Sequence, residues 1–146
     1  MKRHPSLAPL SRDHHQALIL AQMLKKGSPA YKGLPTEINE KGDYAYRFYK
    51  DDLIHHFEKE EVIVISHIQG INTELDQLAE ELRQEHRTLS GLFDEIKNTG
   101  DLVNHLDLLG QTLEQHIRKE ERIFFPMIQA YCGEKILDEI ETLLSV

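Results

Sequence analysis

One cysteine, no tryptophan and few helix-breaking residues distinguish this sequence, which has 8 glycines and 5 prolines among 146 residues. The single thiol, Cys132, excludes an internal disulfide and every metal site built from several cysteines. We interpret it as a structural thiol, and because one cysteine is typical of a reducing compartment we expect a cytoplasmic protein. The shortage of glycine and proline leaves long segments rich in Ala, Leu, Glu, Gln and Lys, which favour helices.

Positive charge is also scarce, since 17 Lys and Arg face 25 Asp and Glu for a net charge of -8. Nucleic acids and anionic membrane surfaces are bound by positive patches, so we expect neither as a partner. No apolar run approaches the roughly 20 residues that span a bilayer. The basic residues 1–3 are not followed by the apolar segment of a signal peptide. We expect one domain over residues 1–146, long enough to bury a core without disulfides.

Apolar residues recur at intervals of three and four, as they do on one face of a helix. The clearest stripe is Leu75, Leu78, Leu82, Leu89, Phe93 and Ile96. The alternation of period two that is typical of half-buried strands is absent from the sequence. The pattern therefore predicts an all-α protein.

The positions of glycine, proline and capping residues predict the helix ends. The first helix begins near Pro9 and ends before Gly27, and residues 27–39 form a long loop. The second runs over about 39–69, and the third over about 73–98 with Asn72 or Thr73 as its cap. The fourth, over about 102–130 and capped by Asp101, should kink or end at Pro126, because proline removes a backbone donor. A short fifth helix covers 134–144.

Mostly short links between the four long helices place successive helices side by side and antiparallel. We therefore expect an up-down-up-down four-helix bundle with a short C-terminal fifth helix. Ile63, Val64, Phe124 and Phe125 are expected in its core.

Histidine is abundant, with 9 copies, about three times the average usage. Four of these histidines belong to a weak internal repeat. The pattern Leu-x-x-acid-His occurs at 10–14 and 82–86, and the pattern His-x-x-x-Glu-Glu occurs at 56–61 and 116–121. The motifs of the first two predicted helices therefore recur, in the same order, in the third and fourth. Two copies of His-x-x-x-Glu-Glu are more than the composition alone predicts.

A His and a Glu four residues apart lie on the same face of a helix. Two such helices in a bundle, with one more His from each of the other two, bring four imidazoles and two carboxylates together. Ionised carboxylates are costly to bury alone, and a pair of metal ions removes that cost. Each ion takes two histidines, the carboxylates bridge the ions, and mixed nitrogen and oxygen donors suit iron, manganese or zinc. The candidate metal ligands are His14, His56, Glu60, His86, His116 and Glu120.

Each cluster contains alternatives. His14 shares a stripe with Leu10 and Ala17, so we favour it over His15, as we favour His56 over His55. Glu61 and Glu121 are expected to be solvated carboxylates that pair with Lys or Arg. Whether His15 replaces His14, or Glu121 replaces Glu120, is left open by the sequence.

Several other candidates fall outside the repeat. His4, His67 and His105 are expected at the surface or the ends of the bundle. Tyr49 lies seven residues before His56 on the same face, and we favour a core tyrosine over a hydrogen-bond donor to the site.

Absent motifs exclude other chemistry. The sequence has no His-Glu-x-x-His motif of zincin peptidases and no Glu-x-x-His motif of ferritin-like di-iron bundles. It also lacks a glycine-rich phosphate loop and the Gly-x-Ser-x-Gly motif.

These motifs resemble the hemerythrin family, in its branch of HHE cation-binding domains. The resemblance rests on residues 10–14, 56–61, 82–86 and 116–126, the last of which ends in Arg-Ile-Phe-Phe-Pro. It implies a left-handed four-helix bundle that holds two non-haem irons bridged by an oxo or hydroxo group. The iron ligands that it implies are His14, His56, Glu60, His86, His116 and Glu120.

The sequence departs from the oxygen-carrying members, which have two histidines four apart on the third helix. Here the positions four residues before and after His86 are Leu82 and Ser90. Those members also place the carboxylate of the fourth helix five residues after its His, whereas here the positions four and five residues after His116 are both glutamates, Glu120 and Glu121. We expect a di-iron protein that binds oxygen, nitric oxide or peroxide. The alternatives are a redox enzyme, such as a peroxidase or a scavenger of nitric oxide or peroxide, and an iron storage or sensing protein. The sequence decides neither enzymatic activity nor oligomeric state.

Overall fold

The computed structural model describes residues 2–146 of the chain. This part contains five helices and no strand. The arrangement is consistent with a helical bundle, and the all-α prediction is confirmed. Helix α1 is Ala8–Leu24, α3 is Thr73–Asp94 followed by a 3₁₀ turn at Glu95–Lys97, and α5 is Glu134–Leu144.

Helices α2 and α4 alternate between α-helical and π-helical hydrogen bonding. The segments of α2 are Ile38–Phe48, the π segment Tyr49–Leu53, Ile54–Lys59, the π segment Glu60–Ile65, and Ser66–Ile68. The segments of α4 are Leu102–Lys119, the π segment Glu120–Phe124, and Phe125–Tyr131. The sequence pattern predicts regular helices here, because nothing local in a sequence marks a π segment.

Two predicted caps are present at the starts of helices. The Asn72 side chain accepts a hydrogen bond from the Leu75 N–H, and the Asp101 side chain accepts one from the Asn104 N–H. Gly70, with φ of 81°, follows the end of α2 in the left-handed conformation that glycine adopts readily. Polar side chains and glycine therefore satisfy these helix ends locally, which is why the sequence reveals them.

Helix α4 continues past Pro126 to Tyr131, so of the two predicted effects of this proline, a kink or an end, the end is wrong. In the preceding π segment the Phe125 N–H donates to the Glu120 carbonyl, five residues back. In the same pattern the Glu121 carbonyl would accept from residue 126, but Pro126 has no N–H to donate. The Glu121 carbonyl instead accepts a hydrogen bond of 2.8 Å from Arg3 Nη2. A side chain 118 residues away thus replaces the donor that proline lacks.

Two apolar clusters fill the interior, and polar residues lie between them. Along α1, Leu10 belongs to one cluster and Ala17 to the other, with His14 between them. Along α3, Leu82 and Leu89 flank His86 in the same way. The predicted α3 stripe is entirely buried: Leu75, Leu78, Leu82, Leu89, Phe93 and Ile96. A buried polar layer therefore crosses the bundle, closed on both sides by apolar packing.

Helices α1 and α4 form the most extensive pairing in the molecule. Gly110 makes their close approach possible, because a Cβ there would lie 2.6 Å from the Ala21 carbonyl oxygen. Among residues 2–146, no helix combines the length and apolar character needed to cross a membrane.

Candidate metal centre

The structure brings all six predicted site residues into the polar layer. His14 comes from α1, His86 from α3, and the two His-x-x-x-Glu pairs from α2 and α4. Each of the six side chains is only 1–3% exposed. They form two groups of four potential donors, in each of which the donor atoms lie within 4.8 Å of one another. The first group is His14, His56, Glu60 and Glu120, and the second is Glu60, His86, His116 and Glu120.

Both glutamates belong to both groups, and the Nε2 atoms of the histidines point toward them. Glu60 Oε1 lies 3.1 Å from His56 Nε2 and 3.3 Å from His86 Nε2. Glu120 Oε1 lies 2.9 Å from His14 Nε2 and 3.4 Å from His116 Nε2. Each carboxylate therefore contacts one histidine of each group, which is the arrangement of a bridging ligand between two ions.

Several of these buried polar atoms have no hydrogen-bond partner. They are Glu60 Oε1 and Oε2, His86 Nε2, His116 Nε2 and Glu120 Oε1. An unsatisfied buried polar group costs about 1–3 kcal/mol, and more when it is charged. Metal ions at the two groups would use these atoms as ligands, so the donor set fits a pair of cations.

The six side chains also perturb one another's protonation. Burial and the charge of Glu60 raise the pKa of Glu120 well above its usual value. Burial also disfavours the charged form of Glu60, but the charge of His56 and the other polar contacts of the cluster hold its pKa well below the usual range. Burial opposes protonation of His56 too, yet Glu60 and Asp13 raise its pKa to about 9. Without cations, protons on Glu120 and His56 therefore reduce the negative charge of the cluster, as two bound cations would.

A second ring of carboxylates surrounds the histidines at their Nδ1 atoms. Asp13 Oδ2 lies 3.0 Å from His56 Nδ1, and Glu121 Oε2 lies 3.0 Å from His14 Nδ1. Glu61 Oε2 lies 2.7 Å from His86 Nδ1, and Glu85 Oε1 lies 2.7 Å from His116 Nδ1. We call Asp13, Glu61, Glu85 and Glu121 the outer carboxylates.

The expectation that Glu61 and Glu121 would be solvated partners of Lys or Arg holds only in part. Their side chains are only 32% and 27% exposed, and each contacts a buried histidine. Glu121 also approaches Arg3, at 3.6 Å, so one part of the expectation holds. Both glutamates follow a buried glutamate by one residue, and this step of about 100° turns them toward the neighbouring helix.

Asp13 and Glu85 are the acids of the Leu-x-x-acid-His pattern, for which the sequence predicts no role of their own. Each precedes a buried histidine and contacts the buried histidine of a different helix. The hydrogen bond from His56 lowers the pKa of Asp13. Partial burial opposes ionisation of Glu85, but hydrogen bonds from His116 and Lys119 lower its pKa to about 2. The signal was in the sequence, as an acid adjacent to His14, Glu60, His86 and Glu120.

The histidines that were set aside lie elsewhere. His15 and His55 are exposed, which agrees with the prediction that His14 and His56 are the members of each pair that face the core. The His4 ring contacts Ser6 and Glu134, and His105 Nε2 lies 2.6 Å from the Leu92 carbonyl oxygen. His67, at the end of α2, contacts the carbonyl oxygen of its own helix one turn back.

Tyr49 is a core residue, as expected. It is 4% exposed and stacks on Phe93 with ring centroids 4.7 Å apart. The site is enclosed by other aromatic rings, since Phe57 stacks on His86 and Phe125 on His14. Cys132 is free and buried, consistent with a structural thiol.

A small cavity of about 10 Å³ adjoins the cluster. Four cluster residues line it, together with apolar side chains that include Ala17, Leu53, Phe57, Leu113 and Ile117. This volume is close to the smallest that accepts a water molecule. An open surface pocket of about 440 Å³, which contains Arg12 and Lys59, shares His56, Asp13 and Leu53 with the small cavity. Other surface pockets are lined by His86 and by His116, so pockets adjoin the cluster at three of its histidines.

Both buried glutamates begin π-helical segments, Glu60–Ile65 and Glu120–Phe124. Single π turns within α-helices are frequent at functional sites. In this protein they follow directly on the His-x-x-x-Glu spacing, so the change of hydrogen bonding starts at the residues that carry the two shared carboxylates.

A family model described as the hemerythrin HHE cation-binding domain matches residues 6–129. The match includes all six buried site residues and the four outer carboxylates. No curated protein sequence and no solved structure gives a significant match. The family match and the buried His/Glu cluster both indicate that the site binds metal cations.

Proposed function

This chain belongs to the hemerythrin HHE cation-binding domain family, and on that basis we propose that it is a non-haem di-iron protein that binds oxygen or a related small molecule. The ligands would be His14, His56, Glu60, His86, His116 and Glu120, with both glutamates bridging. We further propose that residues 1–146 are one domain, an up-down-up-down four-helix bundle, and that the protein acts in the cytoplasm.

The observation that supports this proposal is the pair of four-donor groups that share both carboxylates. Two histidines and two bridging carboxylates give each ion four protein ligands, so an octahedral ion keeps about two positions for other ligands. The donors are nitrogen and oxygen without sulfur, which suits iron and also allows manganese or zinc. Several buried oxygen and nitrogen atoms of the cluster have no hydrogen-bond partner. Binding of cations to these atoms would remove the free-energy cost of burying them unpaired.

Each part of the site has a distinct role in the proposed mechanism. Iron, when bound, supplies electrons and open positions for oxygen, nitric oxide or peroxide. The four histidines would hold the ions, and Glu60 and Glu120, which belong to both donor groups, would be shared between them. The small cavity limits the incoming molecule to about the size of water or a diatomic. Phe57, Leu113 and Ile117 keep bulk water away from it.

The test is to load the protein with ferrous iron without oxygen, count iron per chain, and follow the visible spectrum as oxygen is added and removed. We expect two irons per chain and a spectrum that responds to oxygen. A spectrum that returns after oxygen removal supports a carrier or sensor. His116→Ala should abolish two-iron loading, and full loading of this variant would contradict the proposal.

A redox enzyme that uses the same irons, such as a peroxidase or a scavenger of nitric oxide or peroxide, is the second candidate. The open pocket beside His56 favours it, because turnover needs solvent and substrate to approach the site. Iron that oxidises irreversibly in the oxygen experiment, together with turnover that is lost in iron-free protein, would favour this enzyme over a carrier.

A further inference from the structure

Every histidine of the buried cluster has a carboxylate at the nitrogen that faces away from the cluster. The contacts come from four residues outside the proposed ligand set, and each joins two different helices. Assuming the metal binding proposed above, we infer that the outer carboxylates are positioning residues, and that they make the ion between His86 and His116 the more tightly bound and more easily oxidised of the two.

The first part of the inference follows from hydrogen-bond chemistry. An ionised carboxylate can only accept, so each histidine must carry its proton on Nδ1. In the neutral ring that binds a metal, Nε2 then has the lone pair, and it is the Nε2 atoms that point to the shared glutamates. The outer carboxylates therefore hold all four rings in the tautomer and orientation that metal binding requires.

The second part follows from a difference in distance between the two halves of the site. The contacts to His86 and His116 are both 2.7 Å, and those to His14 and His56 are both 3.0 Å. A shorter charge-assisted hydrogen bond is a stronger one, and it makes the imidazole a better electron donor to a metal.

Basic side chains increase the difference. Lys59 lies 3.4 Å from Asp13 and Arg3 lies 3.6 Å from Glu121, so both outer carboxylates of one half have a cation nearby. In the other half Lys119 lies 2.8 Å from Glu85. Within residues 2–146, Glu61 forms no ion pair with any Lys or Arg. Its negative charge therefore acts on His86 without a Lys or Arg in direct contact.

Charge of this kind has a predictable effect on a metal ion. Negative charge in a buried site stabilises the more positive, oxidised ion more than the reduced one, because low polarity strengthens the interaction. The His86 and His116 half has two outer carboxylates and one cation, whereas the His14 and His56 half has two of each. Distance and charge thus favour the same ion.

The test compares Glu61→Gln with Asp13→Asn, one from each half, and uses Glu58→Gln as a matched control because Glu58 is an exposed glutamate on the same helix as Glu61. Each substitution removes one charge and keeps the size of the side chain. The readouts are the two ferrous dissociation constants, measured without oxygen against a competing chelator, and the reduction potentials of the loaded protein. Helicity of each metal-free variant checks its folding.

We expect the wild type to bind two ferrous ions with unequal affinity. Glu61→Gln should weaken the tighter step by about 10–100-fold, the usual effect of losing such a partner, so that the two constants converge. Glu61→Gln should also make the reduction potential of the more easily oxidised ion more positive. Asp13→Asn should weaken the other step and move the constants apart, and Glu58→Gln should change neither quantity.

Three results would overturn the inference. They are equal constants in the wild type, unchanged constants and potentials in both outer variants, and an equal change in Glu58→Gln. A wild type that takes up no iron would instead contradict the proposed function itself, so the two failures are distinguishable.

Discussion

At the scale of single residues, neighbours of the same chemical type have different environments because one residue rotates a helix by about 100°. His14 is buried in the cluster and His15 is exposed. Glu120 is 1% exposed and contacts the Nε2 atoms, whereas Glu121 is 27% exposed and contacts a Nδ1 atom. A one-residue shift thus separates a proposed ligand from an outer carboxylate or a solvent-facing side chain.

This difference predicts unequal effects of two adjacent substitutions. His14→Ala should reduce iron loading from two ions to at most one, because it removes one of four donors from the first group. His15→Ala should load like the wild type, since its ring lies outside the cluster. Metal analysis of both proteins after anaerobic loading is the measurement, and equal loading of the two variants would count against His14 as a ligand.

At the scale of the helices, close packing of α1 against α4 brings His14 to the carboxylates of α4. Gly110 allows the approach, and an ion pair reinforces it, since Glu114 accepts hydrogen bonds from Lys25 and Gln22 of the α1 end and from Arg118 of its own helix. The geometry of the first donor group therefore depends on a contact made about two turns away.

Gly110→Ala should destabilise the protein by about 1–3 kcal/mol, as overpacked interiors generally do. The added Cβ would meet backbone, the Ala21 carbonyl oxygen at 2.6 Å, which a side-chain movement cannot relieve. Gly91→Ala is the matched control, because a Cβ there meets nothing within 4 Å. It should stabilise α3 by up to about 1 kcal/mol. Urea unfolding of both variants measures the difference, and equal stabilities would contradict this account of the α1–α4 packing.

The Glu114 ion pair predicts a pH dependence of stability. Hydrogen bonds from Lys25 and Arg118 lower the pKa of Glu114 to about 2 from an ordinary value of 4.5. A lowered pKa in the folded state adds stability that is fully present above pH 4.5 and is lost as the pH falls toward 2. The difference in free energy of unfolding between wild type and Glu114→Gln should therefore become smaller as the pH falls from 4.5 toward 2. Urea unfolding of metal-free protein at several pH values tests it, with Glu58→Gln as the control that should show no such narrowing.

At the scale of the whole molecule, the polar layer divides the interior into two apolar clusters. All four long helices contribute at least one of the six buried residues, so the layer joins the helices at mid-length. Without cations this layer contains several unsatisfied buried atoms. Metal binding is therefore coupled to the stability of the entire bundle.

Chelation of the iron should lower the unfolding temperature. If free iron exceeds its dissociation constant a thousandfold, binding adds about 4 kcal/mol, and a chain of this size changes by about 2–4 °C per kcal/mol. We expect a fall of about 8–16 °C in thermal unfolding followed by circular dichroism. A metal-free form with much lower helicity at room temperature would favour the sensing alternative, and an unchanged melting temperature would contradict the coupling.

The sequence by itself determined the helices, most of their ends and the six residues that meet in the polar layer. These features depend on local geometry: a capping side chain bonds within three residues of itself, and a His and a Glu four apart share a face whatever surrounds the helix. The final helix, Glu134–Leu144, also matches its predicted bounds; it starts directly after Gly133, the residue that the prediction used, although no side chain caps it.

Only the tertiary structure decided which acid contacts which histidine, where the π segments lie, and how α4 continues through Pro126. Asp13 contacts His56 rather than its neighbour His14, and Arg3 serves a carbonyl 118 residues away. Such partners are set by the packing of one helix against another, and spacing along a single chain segment carries no information about the distance between segments.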